Sequence, residues 1–204
     1  MIRTDIQYID DFLGGGLPDG ILLDIFGPSG SGKTSTLHRI AAQTALSGRR
    51  VSYIDATGNF RPERIIRMGI PSDTLARISV MRALSVDDQT SALNRVPSDT
   101  GVLLVDGISD LFIYEYPDLV MSRTRASLLM QHMRTLSKMA LCYQMPIVVT
   151  NMVRYGRNGI SESMEKAAWL YSHVRIYLTG APRYEALCRR PGRDDIFSCV
   201  PSDI

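Results

Sequence analysis

Cysteine is scarce in this 204-residue chain: Cys142, Cys188 and Cys199 are the three present, and no C-x-x-C pair occurs. So odd and scattered a set argues for buried thiols in a reducing compartment, ahead of a metal site or a disulfide. Long apolar runs are also missing. None approaches the ~20 residues needed to cross a bilayer, and the N-terminus lacks the hydrophobic region of a signal peptide. The expected setting is cytoplasmic, with no membrane. Charge of one sign is lacking too: 23 Lys and Arg against 21 Asp and Glu leave a formal net charge of +2. That balance does not announce a nucleic-acid binder, so local patches must carry any such function. Heptads, repeats and low-complexity segments are absent. At this length a single domain, residues 1–204, with its own core is expected.

What is present is concentrated in residues 21–36, ILLDIFGPSGSGKTST. The apolar run 21–26 reads as a strand, and a helix starts near Lys33. The turn between them reads G-x-x-x-x-G-K-T through Gly27, Gly32, Lys33 and Thr34. The phosphate-binding stretch is Gly27, Pro28, Ser29, Gly30, Ser31, Gly32, Lys33, Thr34 and Ser35. Its glycines let backbone N–H groups converge on a phosphate at a helix N-terminus that already favours negative charge. Lys33 can reach the β- and γ-phosphates, and the Thr34 hydroxyl can ligate a bridging Mg²⁺. A nucleoside triphosphate is the expected ligand.

A second acid follows in VLLVD, residues 102–106. An apolar run of this kind reads as a strand buried on both faces of a parallel sheet. Asp106 at its end would lie beside the phosphate loop and hold Mg²⁺ through its water shell. The plainer role is a cap on the turn Gly107-Ile108-Ser109.

Elsewhere, Thr4 is the expected N-cap of an amphipathic helix over 5–13, ended by Gly14. The phosphate-loop helix should run to Leu46, with Gly48 closing it. Strands are expected at 51–55, 78–81 and 147–151, and helices after Pro62, over 87–94 and over Ser122–Tyr143. The methionines of the last helix read as core filler. Strands at Val174–Leu178, 184–189 and 196–200 follow with short connections, which suggests hairpins. The expected fold class is α/β: a mainly parallel sheet flanked by helices, with antiparallel strands at the C-terminal edge. Ligands in such sheets bind at the carboxyl ends of the strands, here Gly27, Asp55, Asp106 and Asn151.

With those residues in hand, the chain resembles the RecA-like ATPase core of the RecA/RadA recombinase superfamily, nearest to archaeal paralogues of the RadB type. The resemblance runs over 4–178 through GGGLPDG, GPSGSGKT, VSYID followed by GNFRPER, VLLVDGISDLF, VVTNMV and VRIYL. FRPER is its most specific piece. The resemblance implies a P-loop NTPase fold, ATP and Mg²⁺ as ligands, and no separate N-terminal DNA-binding domain. It also makes Arg64 the residue covering the adenine face by stacking and cation–π contact, with Arg61 a weaker alternative.

Two departures from the family pattern bear on catalysis. Thr57 stands where recombinases carry the glutamate that activates water, and Met152 stands where they carry a glutamine that senses the γ-phosphate. A threonine hydroxyl accepts no proton at neutral pH, and loss of a positioned base typically costs about 10²–10⁴-fold. A thioether is a weak acceptor. Slow or absent hydrolysis is expected.

The counterparts of the family's DNA loops are 114–125, with Arg123 and Arg125, and 154–166, with Arg154 and Arg157. Basic and aromatic residues there suit phosphate contact and base stacking; ordinary solvated loops are the alternative. The resemblance implies a recombination and repair paralogue that binds single-stranded DNA, or a recombinase or paralogue partner. It also implies a nucleotide site between protomers, and hence an oligomer. A regulatory ATPase of the clock-protein kind and a partner-binding scaffold remain the other readings.

Overall fold

The computed structural model describes residues 1–117, 121–156, 159–162, 165–179, 185–190 and 192–198. Helix α1 (Gln7–Leu13) leads through a glycine turn to β1 (Leu22–Gly27), and α2 (Lys33–Leu46) follows the phosphate loop. Next come β2 (Arg50–Asp55), α3 (Pro62–Arg67), β3 (Ile78–Arg82), α4 (Val86–Ala92) and β4 (Thr100–Asp106). Then come α5 (Asp110–Glu115), α6 (Ser122–Tyr143), β5 (Ile147–Gly156), β6 (Gly159–Glu162) and α7 (Glu165–Tyr171). The strands β7 (Val174–Leu178), β8 (Glu185–Arg190) and β9 (Arg193–Ser198) complete the described chain.

Among the described residues the strands lie in the order β3-β2-β4-β5-β1-β7-β8-β9, with β6 folded back on β5. From β3 to β7 every neighbouring pair is parallel. The β7-β8-β9 edge and the β5-β6 hairpin are antiparallel. Parallel strands need helical crossovers, which cover both faces and leave strands apolar on both sides. Strand β4 follows that rule. Val102 and Leu104 join the layer under α1 and α2, whereas Leu103 and Val105 join the layer under α6. Met133 on α6 is fully packed in that second layer, as filler.

Several boundaries differ from expectation for local reasons. Thr4 does not cap α1. Its hydroxyl donates to Asp10 at 2.7 Å and accepts from the Ile6 N–H, while Asp5 takes a left-handed φ of +59°, so the helix starts two residues late. Helices α5 and α7 are six and seven residues long, too short for a 3.6-residue period to stand out. Strand β5 continues past Asn151 to pair with β6. Pro62 does occupy the first turn of α3. Cys188 is buried in β8 as expected of a structural thiol, but Cys142 is exposed; Cys199 lies outside the described residues. Among the described residues no helix is long and apolar enough to cross a membrane.

One polar pair is built into the centre of the sheet. Asp24 on β1 is fully buried and faces Arg175 on β7, whose Nε lies 3.4 Å from Oδ2. The guanidinium also lies over the rings of Phe26 (4.7 Å) and Trp169 (5.2 Å). Burial pushes the Asp24 carboxyl up to about 6 despite the opposing pull of Arg175. The folded state therefore holds this proton more tightly than the unfolded chain, so this group's contribution makes the protein more stable as pH falls from about 6 toward 4. Arg175→Met leaves a buried carboxylate without its cation and should cost about 3–5 kcal/mol in urea unfolding at pH 7. Adding Asp24→Asn should recover most of that loss.

Candidate nucleotide site

The carboxyl ends of β1, β2, β4 and β5 open into one cleft of about 840 Å³. Ser29, Gly30, Gly32, Lys33, Thr34 and Ser35 form its floor, and Thr57, Arg61, Arg64, Asp106 and Met152 line its walls. The expected phosphate-loop, metal and base-side residues therefore meet in one place.

The loop is shaped for close backbone approach. A Cβ on Gly27 would stand 2.3 Å from the Leu178 carbonyl oxygen and 2.7 Å from Ser31 Oγ, so no larger residue fits. Ser31 is fully buried, and its Oγ has no hydrogen-bond partner among the described residues. Lys33 Nζ donates to the carbonyls of Gly27 (2.9 Å) and Pro28 (2.6 Å). Burial pushes its pKa down, while Asp106 and then Asp110 pull it up. An ammonium, a buried hydroxyl and a bare backbone turn are a donor set that fits a polyphosphate.

Asp106 is the hub. Its Oδ1 accepts the Thr150 hydroxyl at 2.7 Å. Its Oδ2 accepts Thr34 at 2.9 Å, Tyr53 at 3.1 Å and Thr57 at 3.2 Å. The carboxylate is 1% exposed, so these donors replace water in holding its charge. The turn-cap reading of Asp106 is thus displaced: the following turn is held by Thr150, whose Oγ1 and carbonyl accept the N–H groups of Gly107 and Ile108. Thr34 and Asp106 form the pair that fits a divalent cation.

Tyr53 ties this hub to the far wall. It is fully buried, stacked on His38 at 6.0 Å and edge-on to Phe60 at 4.9 Å. His38 Nε2 accepts the Arg61 N–H, and burial pushes its pKa down to about 4, so the ring is neutral at pH 7. The Tyr53 hydroxyl is pushed upward by burial and by Asp106, which keeps it a donor. Sequence reasoning missed Tyr53 and His38. Their apolar setting in VSYID and in α2 reads as core, and only the fold brings them to Asp106.

Asp55 organises the loop between β2 and α3. Its two oxygens accept the N–H groups of Gly58, Asn59 and Phe60, the Thr57 hydroxyl and Arg82 Nη1. Arg61 turns its guanidinium back onto the carbonyls of Gly58 and Phe60, whereas Arg64 lines the cleft from α3. Met152 also lines the cleft, and Asn151 beside it accepts the Ser109 hydroxyl at 2.6 Å.

Among the described residues, parts of the expected DNA loops belong to regular elements. Tyr114 lies in the last turn of α5, and Arg123 and Arg125 lie in the first turn of α6. Arg125 donates to the Tyr116 carbonyl and so pins α6 to α5, a structural contact. Arg154 belongs to the β5-β6 hairpin, opposite Ser161. Arg157 lies outside the described residues.

A phosphate loop between β1 and α2, facing an acid at the end of β4 in a mainly parallel sheet, defines a RecA-like P-loop NTPase core. The model of the Rad51 family matches residues 1–168, and the chain belongs to that family. It is similar to the DNA repair and recombination protein RadA of Metallosphaera sedula, with 32% identity over 170 residues. That match takes in 74% of this chain and 52% of the relative, so the chain spans about half the length of the protein it matches.

Tyr53→Phe tests the hub directly. Deleting a hydrogen bond to a buried carboxylate should cost about 1.5–3 kcal/mol of stability in urea unfolding. It should also raise the Mg²⁺ concentration needed for half-maximal binding of a fluorescent ATP analogue.

Proposed function

We propose that this chain is an ATP-binding paralogue of the RadB type within the Rad51 family, assisting recombination and repair through nucleotide-gated binding of single-stranded DNA or a recombinase partner. The observation that carries the reading is the Asp106 hub. One carboxylate gathers Thr34 of the phosphate-loop helix and Thr57 of the β2-α3 loop, so a cation bound there is sensed by both. Lys33 and the loop backbone would hold the β- and γ-phosphates, Thr34 and Asp106 the Mg²⁺, and Arg64 the adenine face. Bound Mg²⁺ supplies charge neutralisation on the phosphates. This chain's residues supply orientation, and Lys33 the neighbouring positive charge.

Hydrolysis is slow in this reading. Thr57 offers no base, and Met152 gives the γ-phosphate no strong hydrogen bond. Nucleotide binding, not turnover, then sets the state of the β5-β6 hairpin, because Asn151 and Met152 lie in the cleft and Arg154 two residues further along the same strand. Arg154 and Arg157 are the residues proposed to meet DNA phosphates.

Fluorescent ATP-analogue titration and single-strand filter binding, each with and without Mg²⁺, test the reading together. Lys33→Ala should abolish analogue binding and, with it, the ATP-dependent part of DNA binding. Arg154→Ala with Arg157→Ala should leave ATP affinity intact, weaken single-strand binding and flatten its log–log salt slope by about 1 per lost phosphate contact. DNA affinity and salt slope unchanged in the double variant would remove the hairpin from the DNA site.

A further inference from the structure

We propose that Arg82, which stands outside the cleft, is a positioning residue for metal and nucleotide binding, acting through Asp55 and the shared hydroxyl of Thr57. The proposal rests on ATP with Mg²⁺ being the ligand. Arg82 closes β3, an edge strand of the described sheet, and lies in register with Asp55 at the end of β2. Its Nη1 donates to Asp55 Oδ2 at 3.0 Å. The aspartate side chain is 6% exposed and the arginine side chain 47%. Among the described residues Arg82 is the cation paired with Asp55.

The guanidinium also rests on the loop that Asp55 gathers. Gly58 has φ +76°, and a Cβ there would run into Cζ and both terminal nitrogens of Arg82. The bare glycine leaves room for the arginine to lie over the segment that Asp55 holds. The N–H groups of Gly58 (2.7 Å), Asn59 (3.2 Å) and Phe60 (3.3 Å) donate to the two oxygens of that acid. Thr57, Asn59 and Arg61 of this loop line the cleft, whereas Arg82 and Asp55 do not. What Arg82 does to the site therefore passes through the loop.

The link to the metal position is Thr57. Its Oγ1 lies 3.2 Å from Asp55 Oδ1 and 3.2 Å from Asp106 Oδ2. A hydroxyl carries one proton, so the two carboxylates compete for it. Lys33 acts on Asp106 through its charge while its Nζ bonds the Gly27 and Pro28 carbonyls. Arg82 bonds Asp55 directly, draws on its charge and leaves the Thr57 proton to Asp106. Hydrogen bonds of this outer kind orient a metal-binding carboxylate, and losing one typically costs about 10–100-fold in metal affinity. Without Arg82, Asp55 takes the Thr57 proton, Asp106 loses one of its four hydroxyl donors, and the site holds Mg²⁺ more weakly.

Equilibrium titration of the fluorescent ATP analogue, with and without Mg²⁺, tests this on wild type, Arg82→Met, Arg82→Lys, Thr57→Val and the double variant Arg82→Met with Thr57→Val. Circular dichroism checks that each is folded, and Arg82→Gln replaces Arg82→Met in every comparison if the latter is not. Arg82→Met should weaken binding in Mg²⁺ about 10-fold, and binding without Mg²⁺ by much less. Arg82→Lys keeps a cation on Asp55 and should lose less. Thr57→Val removes the contested hydroxyl, so adding Arg82→Met to it should bring little further loss. Unchanged affinity in Arg82→Met overturns the proposal, as does an equal loss in Arg82→Lys. So does the same fold-loss on the Thr57→Val background, or a loss just as large without Mg²⁺, either of which would make Arg82 a general support of the fold. Failure of wild type to bind the analogue would instead strike down the ATP-binding reading.

Discussion

The carboxylate of Asp106 is the constraint on which the site depends. A buried charge of this kind is tolerable only when donors stand in for water, and here the donors are four hydroxyls from different parts of the chain. Thr34 comes from α2, Tyr53 from β2, Thr57 from the loop after it and Thr150 from β5. Each hydroxyl fixes the element that carries it. The strand ends are therefore held in register by the group that also faces the metal position, so scaffold and chemistry share one anchor. A change at that position alters both at once.

Much of this was legible in the chain. The phosphate loop lies between an apolar strand and a helix, VLLVD reads as a doubly buried strand, and the late run of strands forms the antiparallel edge that its short connections suggest. Those signals are local: periodicity, glycine spacing and an acid at a strand end. What escaped was contact between distant segments. Tyr53 looks like core until β2 is set beside β4, and His38 looks like a helix residue until the loop after β2 folds over it. The hairpin of β5 and β6 escaped because a Gly-containing basic stretch carries the same local signature whether it pairs or not.

The Asp24–Arg175 pair shows a different use of buried charge. It sits one turn of the pleat below the phosphate loop, between the strand that ends in Gly27 and the strand whose last carbonyl, at Leu178, touches the space Gly27 leaves open. Apolar residues there would pack more cheaply. A charged pair favours one register of β7 against β1, because a one-residue slip would leave the two charges on opposite faces of the sheet. The same register puts the Leu178 carbonyl against the phosphate loop.

Strand order also dictates when the protein becomes competent during its own synthesis. Strand β1 is made before both of its neighbours in the sheet, β5 and β7, and the N–H of Leu22 bonds to the ring of His173, 151 residues later. Contacts of such long range close slowly, after the entropy of a large loop has been overcome. The phosphate loop is thus synthesised well before the strands that support it. A nascent chain stalled before β5 would hold an intact G-x-x-x-x-G-K-T sequence on an unsupported strand with both edges open. Until the second half arrives, that strand is a hazard for association with other chains and not yet a ligand site.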